Sequence, residues 1–204
     1  AGSFYNVPII IHESDSVAGL ANQKLAPRAQ IVALGFKETA SSFPKKDIIV
    51  SGNPIRAELT TGSPEIARQL FRINSAKPII LINGGSQGAE AINDLVLNNL
   101  EEFLRYFEII HITGWRKFEG LGKELKARFG NIDTGGYHPY PFLTSELKEA
   151  YAGCDAIVAR AGASTIFEIA AVGKPSILIP LPHAAQDHQK INAYTYAQTG
   201  TAIV

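Results

Sequence analysis

The stretch IILINGGSQGA, residues 79–89, sets a run of β-branched and leucine side chains directly against glycines, and a helical pattern follows. A continuous apolar run of that kind reads as a strand covered on both faces, which belongs in a parallel sheet flanked by helices. Glycines let backbone N–H groups approach a ligand closely, and the start of the following helix favours an anion. The turn is not a Walker A loop, because no Lys-Ser/Thr pair follows, and it lacks the G-x-G-x-x-G spacing of a dinucleotide site. Taken alone, it is either a tight strand-to-helix connection or a diphosphate cradle.

The same alternation continues on both sides. Apolar runs predict strands over 7–12, 29–34, 47–50, 78–82, 107–113, 155–159, 176–181 and 202–204. Helical periods fall between them: one after Gly52-Asn53-Pro54, with Ile66, Leu70 and Phe71 apolar, then 89–106, 117–129, 145–152, 164–172 and 186–198. Residues 132–143 read as irregular, and Trp115 and Tyr137 read as packing residues. The expected fold class is α/β, a Rossmann-like doubly wound parallel sheet. The expected boundary lies near Gly52-Asn53-Pro54, with residues 1–53 too short for a domain and 54–204 carrying the long strand–helix units.

Composition narrows the function classes. The chain has 204 residues, 46% of them hydrophobic, with 19 basic and 19 acidic side chains. Zero net charge argues against a dedicated nucleic-acid binder, which normally carries a basic excess. The single cysteine, Cys154, lies among small residues and reads as a core side chain, not a nucleophile. No apolar run approaches the roughly 20 residues that span a bilayer, and no signal peptide is evident. The sequence contains no methionine, opens on Ala-Gly-Ser and stops in a strand-like Ala202-Ile-Val204, so a fragment of a longer protein is expected.

In an open parallel sheet, ligands sit beyond the carboxyl ends of the strands. Three post-strand segments there carry the chemistry. The first is the glycine turn already quoted. The second, RAGASTIFE at 160–168, again offers small residues at a helix start, where Ser164 or Thr165 can cap the helix or donate to a phosphate. Glu168 follows about one turn later; its carboxylate suits a pair of ribose hydroxyls or, equally, the reciprocal arm of a capping box. The third, HAAQDHQKIN at 183–192, sets Gln189 and Asn192 three apart on one helix face, with Asp187 a candidate N-cap. His183, Asp187 and His188 do not match a helical H-x-x-x-H metal pair, and no serine elbow or hydrolytic triad stands out. No metal or cofactor is expected, and the segments together favour a nucleoside diphosphate carried on another group.

The motifs GGSQGA (84–89), HITG (111–114), RAGASTIFEIAAVGKPSILIPLP (160–182) and DHQKINA (187–193) resemble, in order and spacing, the MurG family of bacterial peptidoglycan glycosyltransferases. Upstream, HESDSVAGLANQKLA (12–26) and GNPIR (52–56) resemble that family too, so the likeness covers nearly the whole chain. The resemblance implies a GT-B architecture of two facing Rossmann-like halves. It implies inverting, metal-independent transfer of N-acetylglucosamine from UDP-GlcNAc to lipid I, giving lipid II, at the cytoplasmic face of the bacterial inner membrane with the protein peripherally bound. The carboxyl half would bind the donor and residues 1–53 would be the tail of the acceptor-side half. Ser86 would contact the diphosphate and Arg56 would stabilise its charge; Ala163, Ser164 and Thr165 would cradle it. Glu168 would hold the ribose, the backbone of Leu143 would bracket uracil, and Gln189 and Asn192 would bind the sugar hydroxyls. Asp15 stands where the family commonly has an asparagine facing the GlcNAc, and the segment 136–142 is longer than usual. The family's general base, membrane-facing patch and acceptor site would lie in an amino-terminal half that this chain lacks, so the chain alone would catalyse poorly. A donor-binding subunit of a split GT-B enzyme and a UDP-GlcNAc 2-epimerase-like enzyme are the alternatives.

Overall fold

The computed structural model of the chain describes residues 7–85, 89–130, 134–182 and 184–204. In chain order its strands are β1 (Ile10–Glu13), β2 (Ile31–Leu34), β3 (Asp47–Val50), β4 (Ile79–Asn83), β5 (Glu108–Ile112), β6 (Tyr137–Tyr140), β7 (Ala156–Ala159), β8 (Ser176–Leu178) and β9 (Ala202–Ile203). The α-helices are α1 (Leu20–Leu25), α2 (Pro64–Leu70), α3 (Glu90–Asn98), α4 (Leu100–Tyr106), α5 (Trp115–Phe129), α6 (Leu147–Gly153), α7 (Ala163–Val172) and α8 (His188–Ala197). A three-stranded sheet runs β1-β2-β3 and a six-stranded sheet runs β6-β5-β4-β7-β8-β9. Every neighbouring pair is parallel.

The larger sheet has the strand order of a doubly wound dinucleotide-binding fold, so the expected Rossmann-like class is borne out. Its two faces are sealed by separate cores. Leu81, Ile110 and Ile157 pack with α2, α6, α7 and α8, while Ile82 and Ile109 pack with α3, α4 and α5. Phe36, from the segment after β2, joins the first of these cores and meets Phe167 edge to face at 5.1 Å, which docks the smaller sheet onto α7.

Local signals set the element ends. Ser63 caps α2, its Oγ accepting from the Ile66 N–H at 3.3 Å, with Pro64 in the first turn. Gly173, at φ 66°, closes α7 in the left-handed conformation that glycine tolerates.

Four readings change. The helix expected over 89–106 is two helices, broken at Asn99, whose amide donates to the Leu95 carbonyl at 2.8 Å. In α2 the buried residue is Ala67, with Phe71 just beyond the helix, whereas Ile66 and Leu70 face solvent. The irregular stretch contains β6, an edge strand. Trp115 opens α5 and is 65% exposed, so it does not pack, while Tyr137 does.

Candidate functional site

The chain order of the larger sheet reverses between β4 and β7, so the loops leaving their carboxyl ends diverge and open a crevice. A cleft of about 920 Å³ occupies that crevice, walled by Gly84 and Gly85 after β4, Arg160 and Gly162 after β7, Thr165 on α7 and Gln189 on α8. Its other wall carries Glu90 and Asp94 of α3. A second cavity of about 480 Å³ lies away from the glycine turns, between Phe36, Val50, Ile166 and Phe167 of α7 and Tyr196 of α8.

The cleft converges backbone donors. Gly162 is the N-cap of α7 and offers no side chain, so neither Ser164 nor Thr165 caps the helix, and no acidic residue lies in its first turn. The helix's first internal bond closes from Ile166 N–H to the Gly162 carbonyl at 3.0 Å. The amides of Ala163, Ser164 and Thr165 therefore point out of the helix end with no partner among the described residues, at the positive pole of the dipole. Ala163 is nearly buried, Thr165 half-buried and Ser164 exposed. Across the cleft Gly85 takes φ 89°, a conformation a β-carbon would strain although space is free there, and its N–H donates to Asn83 Oδ1 at 2.9 Å. Ala89 is the N-cap residue of α3, which also has no side-chain cap. Ser86, the expected diphosphate contact, lies outside the described residues, as does His183.

Glu168 sits one and a half turns into α7, too far along to close a capping box with Gly162. Its carboxylate is committed elsewhere: Tyr151 donates its hydroxyl to Oε2 at 3.0 Å, and Arg56 Nη2 lies 3.8 Å from Oε1. Burial, and then the Glu168 charge, push the Tyr151 phenol pKa upward, so this hydroxyl stays a donor. Arg56 is nearly half exposed, leaving its guanidinium free to swing to a ligand.

Leu143 packs its side chain into the core, so only its main chain can serve a ligand; the neighbouring Phe142 is exposed. Gln189 lines the cleft, its Oε1 accepting from the Leu181 N–H at 3.0 Å, which leaves Nε2 to donate. Asp187 occupies the N-cap position of α8 at φ 52° but makes no capping hydrogen bond.

Asn192 departs most from expectation. It is fully buried, and its amide is saturated: Oδ1 accepts from the Ser16 N–H and Oγ at 2.8 and 2.6 Å, while Nδ2 donates to Asp15 Oδ1 at 2.7 Å and to the Ala161 carbonyl at 3.4 Å. No valence of that amide is left for a sugar hydroxyl. Asp15 is thereby joined to Asn192 across the two sheets.

Three residues that the sequence did not single out also build the site. Arg160 lines the cleft and donates from Nη1 to the Ile179 and Pro180 carbonyls at 3.2 and 3.0 Å, lashing the carboxyl ends of β7 and β8 together. Tyr151 orients Glu168. Glu13 is buried and organises the loop after β1. The cation opening RAGAST was a visible signal for the first of them; the other two act through contacts distant in sequence. Among the described residues no cluster of His, Cys, Asp or Glu can hold a metal ion, and no helix is long and apolar enough to cross a membrane.

A parallel sheet whose strand order reverses at the crevice between β4 and β7 defines an α/β protein of the doubly wound, Rossmann-like class. More particularly, the chain belongs to glycosyltransferase family 28: the profile of that family's C-terminal domain matches residues 79–204. It is 35% identical over 213 residues to the UDP-N-acetylglucosamine–N-acetylmuramyl-(pentapeptide) pyrophosphoryl-undecaprenol N-acetylglucosamine transferase of Moorella thermoacetica, matching 100% of this chain and 56% of that protein. The enzyme of the same name from Halothermothrix orenii is 38% identical over 216 residues, with the same coverage of 100% and 56%. The crystal structure of Acinetobacter baumannii MurG superposes with a TM-score of 0.74 at 30% identity, over 99% of this chain and 54% of that one. The resemblance read from the motifs is thus borne out, and the chain spans about 55% of the length of these relatives.

Proposed function

We propose that this chain is the donor-binding part of an enzyme that transfers N-acetylglucosamine from UDP-GlcNAc to lipid I, forming lipid II with inversion at the anomeric carbon. Residues 54–204 are the donor domain and residues 1–53 the tail of the acceptor-side half; the enzyme works peripherally on the cytoplasmic face of the bacterial inner membrane. The observation that carries this reading is the uncapped, acid-free start of α7 opening into the cleft opposite Gly84 and Gly85. Three outward amides on a helix dipole meet the negative charge that builds on UDP as the acceptor C4 hydroxyl displaces it. Arg56 adds a mobile cation, and Arg160 a cation fixed at the cleft wall. Ser86, in the glycine turn, adds a hydroxyl donor. Together they supply the charge neutralisation for which the proposal needs no divalent ion.

The remaining groups divide the donor between them. Glu168 accepts from the ribose hydroxyls, with Tyr151 holding its second oxygen. The main chain at Leu143 reads uracil, and Gln189 Nε2 donates to the sugar. The names of the relatives support the same donor. The general base is assigned to the acceptor-side half, so the 204-residue chain binds donor without making lipid II.

Calorimetry tests the reading. UDP-GlcNAc should bind, unchanged by EDTA, while ADP-glucose should give no comparable heat. Equal binding of the two, or none of either, would contradict it. Lipid II synthesis by the chain alone would contradict the placement of the base.

A further inference from the structure

The Asn192 amide, buried and four-coordinated, has its principal partners 176 and 177 residues away, on the loop that follows β1. That loop is tied down by hydrogen bonds of its own. Glu13 is 4% exposed and accepts from the Asp15 N–H at 3.2 Å, the Gly19 N–H at 2.7 Å and Asn22 Nδ2 at 2.9 Å. Thr39 Oγ1 donates to the Asp15 carbonyl at 3.0 Å, and Asn53 Nδ2 donates to that of Ser14 at 3.1 Å. A β-carbon at Gly35 would collide with the Ser14 carbonyl, so glycine is needed there for the loop to sit where it does. At its other end the clasp reaches two of the elements that line the donor cleft, the start of α7 and helix α8. Asn192 lies one helical turn beyond Gln189, and its Nδ2 also touches the Ala161 carbonyl, one residue before the N-cap of α7.

We propose that Asn192 is a positioning residue and not a sugar ligand: with Asp15 and Ser16 it clasps the three-stranded sheet to the turn that opens α7 and to the helix that carries Gln189, and so holds that side of the donor cleft in place. This rests on the donor-binding reading above. Ser16 contributes two of the four bonds, and Asp15 serves the clasp as an acceptor. A carboxylate at position 15 in place of an amide is therefore compatible with the pairing, because Asn192 supplies the donor. Since the clasp holds the start of α7, against which the diphosphate rests, losing it lowers the affinity for UDP as well as for UDP-GlcNAc.

The experiment compares wild type, Ser16→Ala, Asn192→Asp and the double variant Asp15→Asn/Asn192→Asp. Two readouts are taken on the 204-residue chain: hydrogen exchange at residues 14–19 without ligand, and calorimetry with UDP and UDP-GlcNAc. Asn192→Asp faces one carboxylate with another and should weaken both nucleotides about tenfold while speeding exchange in the loop. Ser16→Ala, a milder loss, should weaken both about threefold. The double variant restores the donor–acceptor pair between positions 15 and 192 with its direction reversed, though not the bond to the Ala161 carbonyl, and should recover exchange in the loop and part of the affinity for both nucleotides. A sugar ligand gives another pattern: UDP-GlcNAc weakened, UDP unchanged and no rescue by the double variant, which would overturn the proposal. Unchanged exchange in Asn192→Asp would overturn it as well. If wild type binds neither nucleotide, the donor reading falls, and the exchange data still decide whether the clasp exists.

Discussion

Strand β5 of the larger sheet is buried at all five positions, whereas β3 of the smaller sheet is exposed at three of four. In sequence the two are hard to separate, for both are short runs dominated by isoleucine. The difference lies in what covers them. The six-stranded sheet has helices on both faces, as parallel sheets ordinarily do. Among the described residues the three-stranded sheet is covered on one face only: Ile11, Val32 and Leu34 face inward with Phe43, while Ile10 and Ile49 stand 63% and 52% exposed on the other. An apolar run reports that a strand can be buried on both sides, not that the residues in hand bury it. The contrast extends to function. The larger sheet carries the cleft, and the smaller one contributes through the loop after β1 and the clasp at Asn192.

The largest effect is expected for Ile110→Ala, at a fully buried site between the sheet and its helices: about 2–5 kcal/mol of stability lost in denaturant titration. A loss below about 1 kcal/mol would mean that the two-faced core is not what holds this sheet. Next is Glu168→Ala, which should cost about 1–3 kcal/mol of UDP affinity by calorimetry. No change would reduce Glu168 to a partner of Tyr151 and Arg56.

Acid should then find the larger sheet through His111. This side chain is fully buried against Tyr137, 2.9 Å from Nδ1 to the hydroxyl, and burial, followed by the Lys117 charge, holds its pKa down at about 3. Between that value and the ordinary 6.5 the unfolded chain binds the proton and the native one does not. Stability is thus complete above the unfolded value and falls as pH drops from 6.5 toward 3, by up to about 1.4 kcal/mol per pH unit. Melting curves of wild type and His111→Gln across that range would check it; identical slopes would contradict it. The smallest effect is expected for Ile49→Ala on the open face, within about 0.5 kcal/mol of wild type. A loss as large as that at Ile110 would show that the open face is covered in solution.

The sequence carried the fold where local chemistry sufficed. Continuous apolar runs marked β4, β5 and β7, and the glycine-rich starts marked both walls of the cleft. It failed where tertiary context decided. Tyr137-His138-Pro139-Tyr140 has no apolar run, yet pairs as the outer strand β6, where proline is tolerated because one side of the ladder is free. In α2, small Ala67 faces inward because α6 packs close against it, leaving no room for a β-carbon at Gly153. The same limit applied to the site. The α7 start was legible, because a helix end announces its own unpaired amides. The saturation of Asn192 was not, since its partners lie at the other end of the chain, and the roles of Tyr151 and Glu13 were hidden for the same reason.

The central claim is that the diphosphate of the donor rests on the start of α7, and amide chemical shifts read that directly. Titrating the 15N-labelled chain with UDP should move Gly162, Ala163, Ser164, Thr165 and Gly84 most, and uridine alone should leave these five nearly still. If UDP instead shifts residues around the cavity of Phe36 and Tyr196, or shifts the five no more than uridine does, the cleft is not where the diphosphate binds.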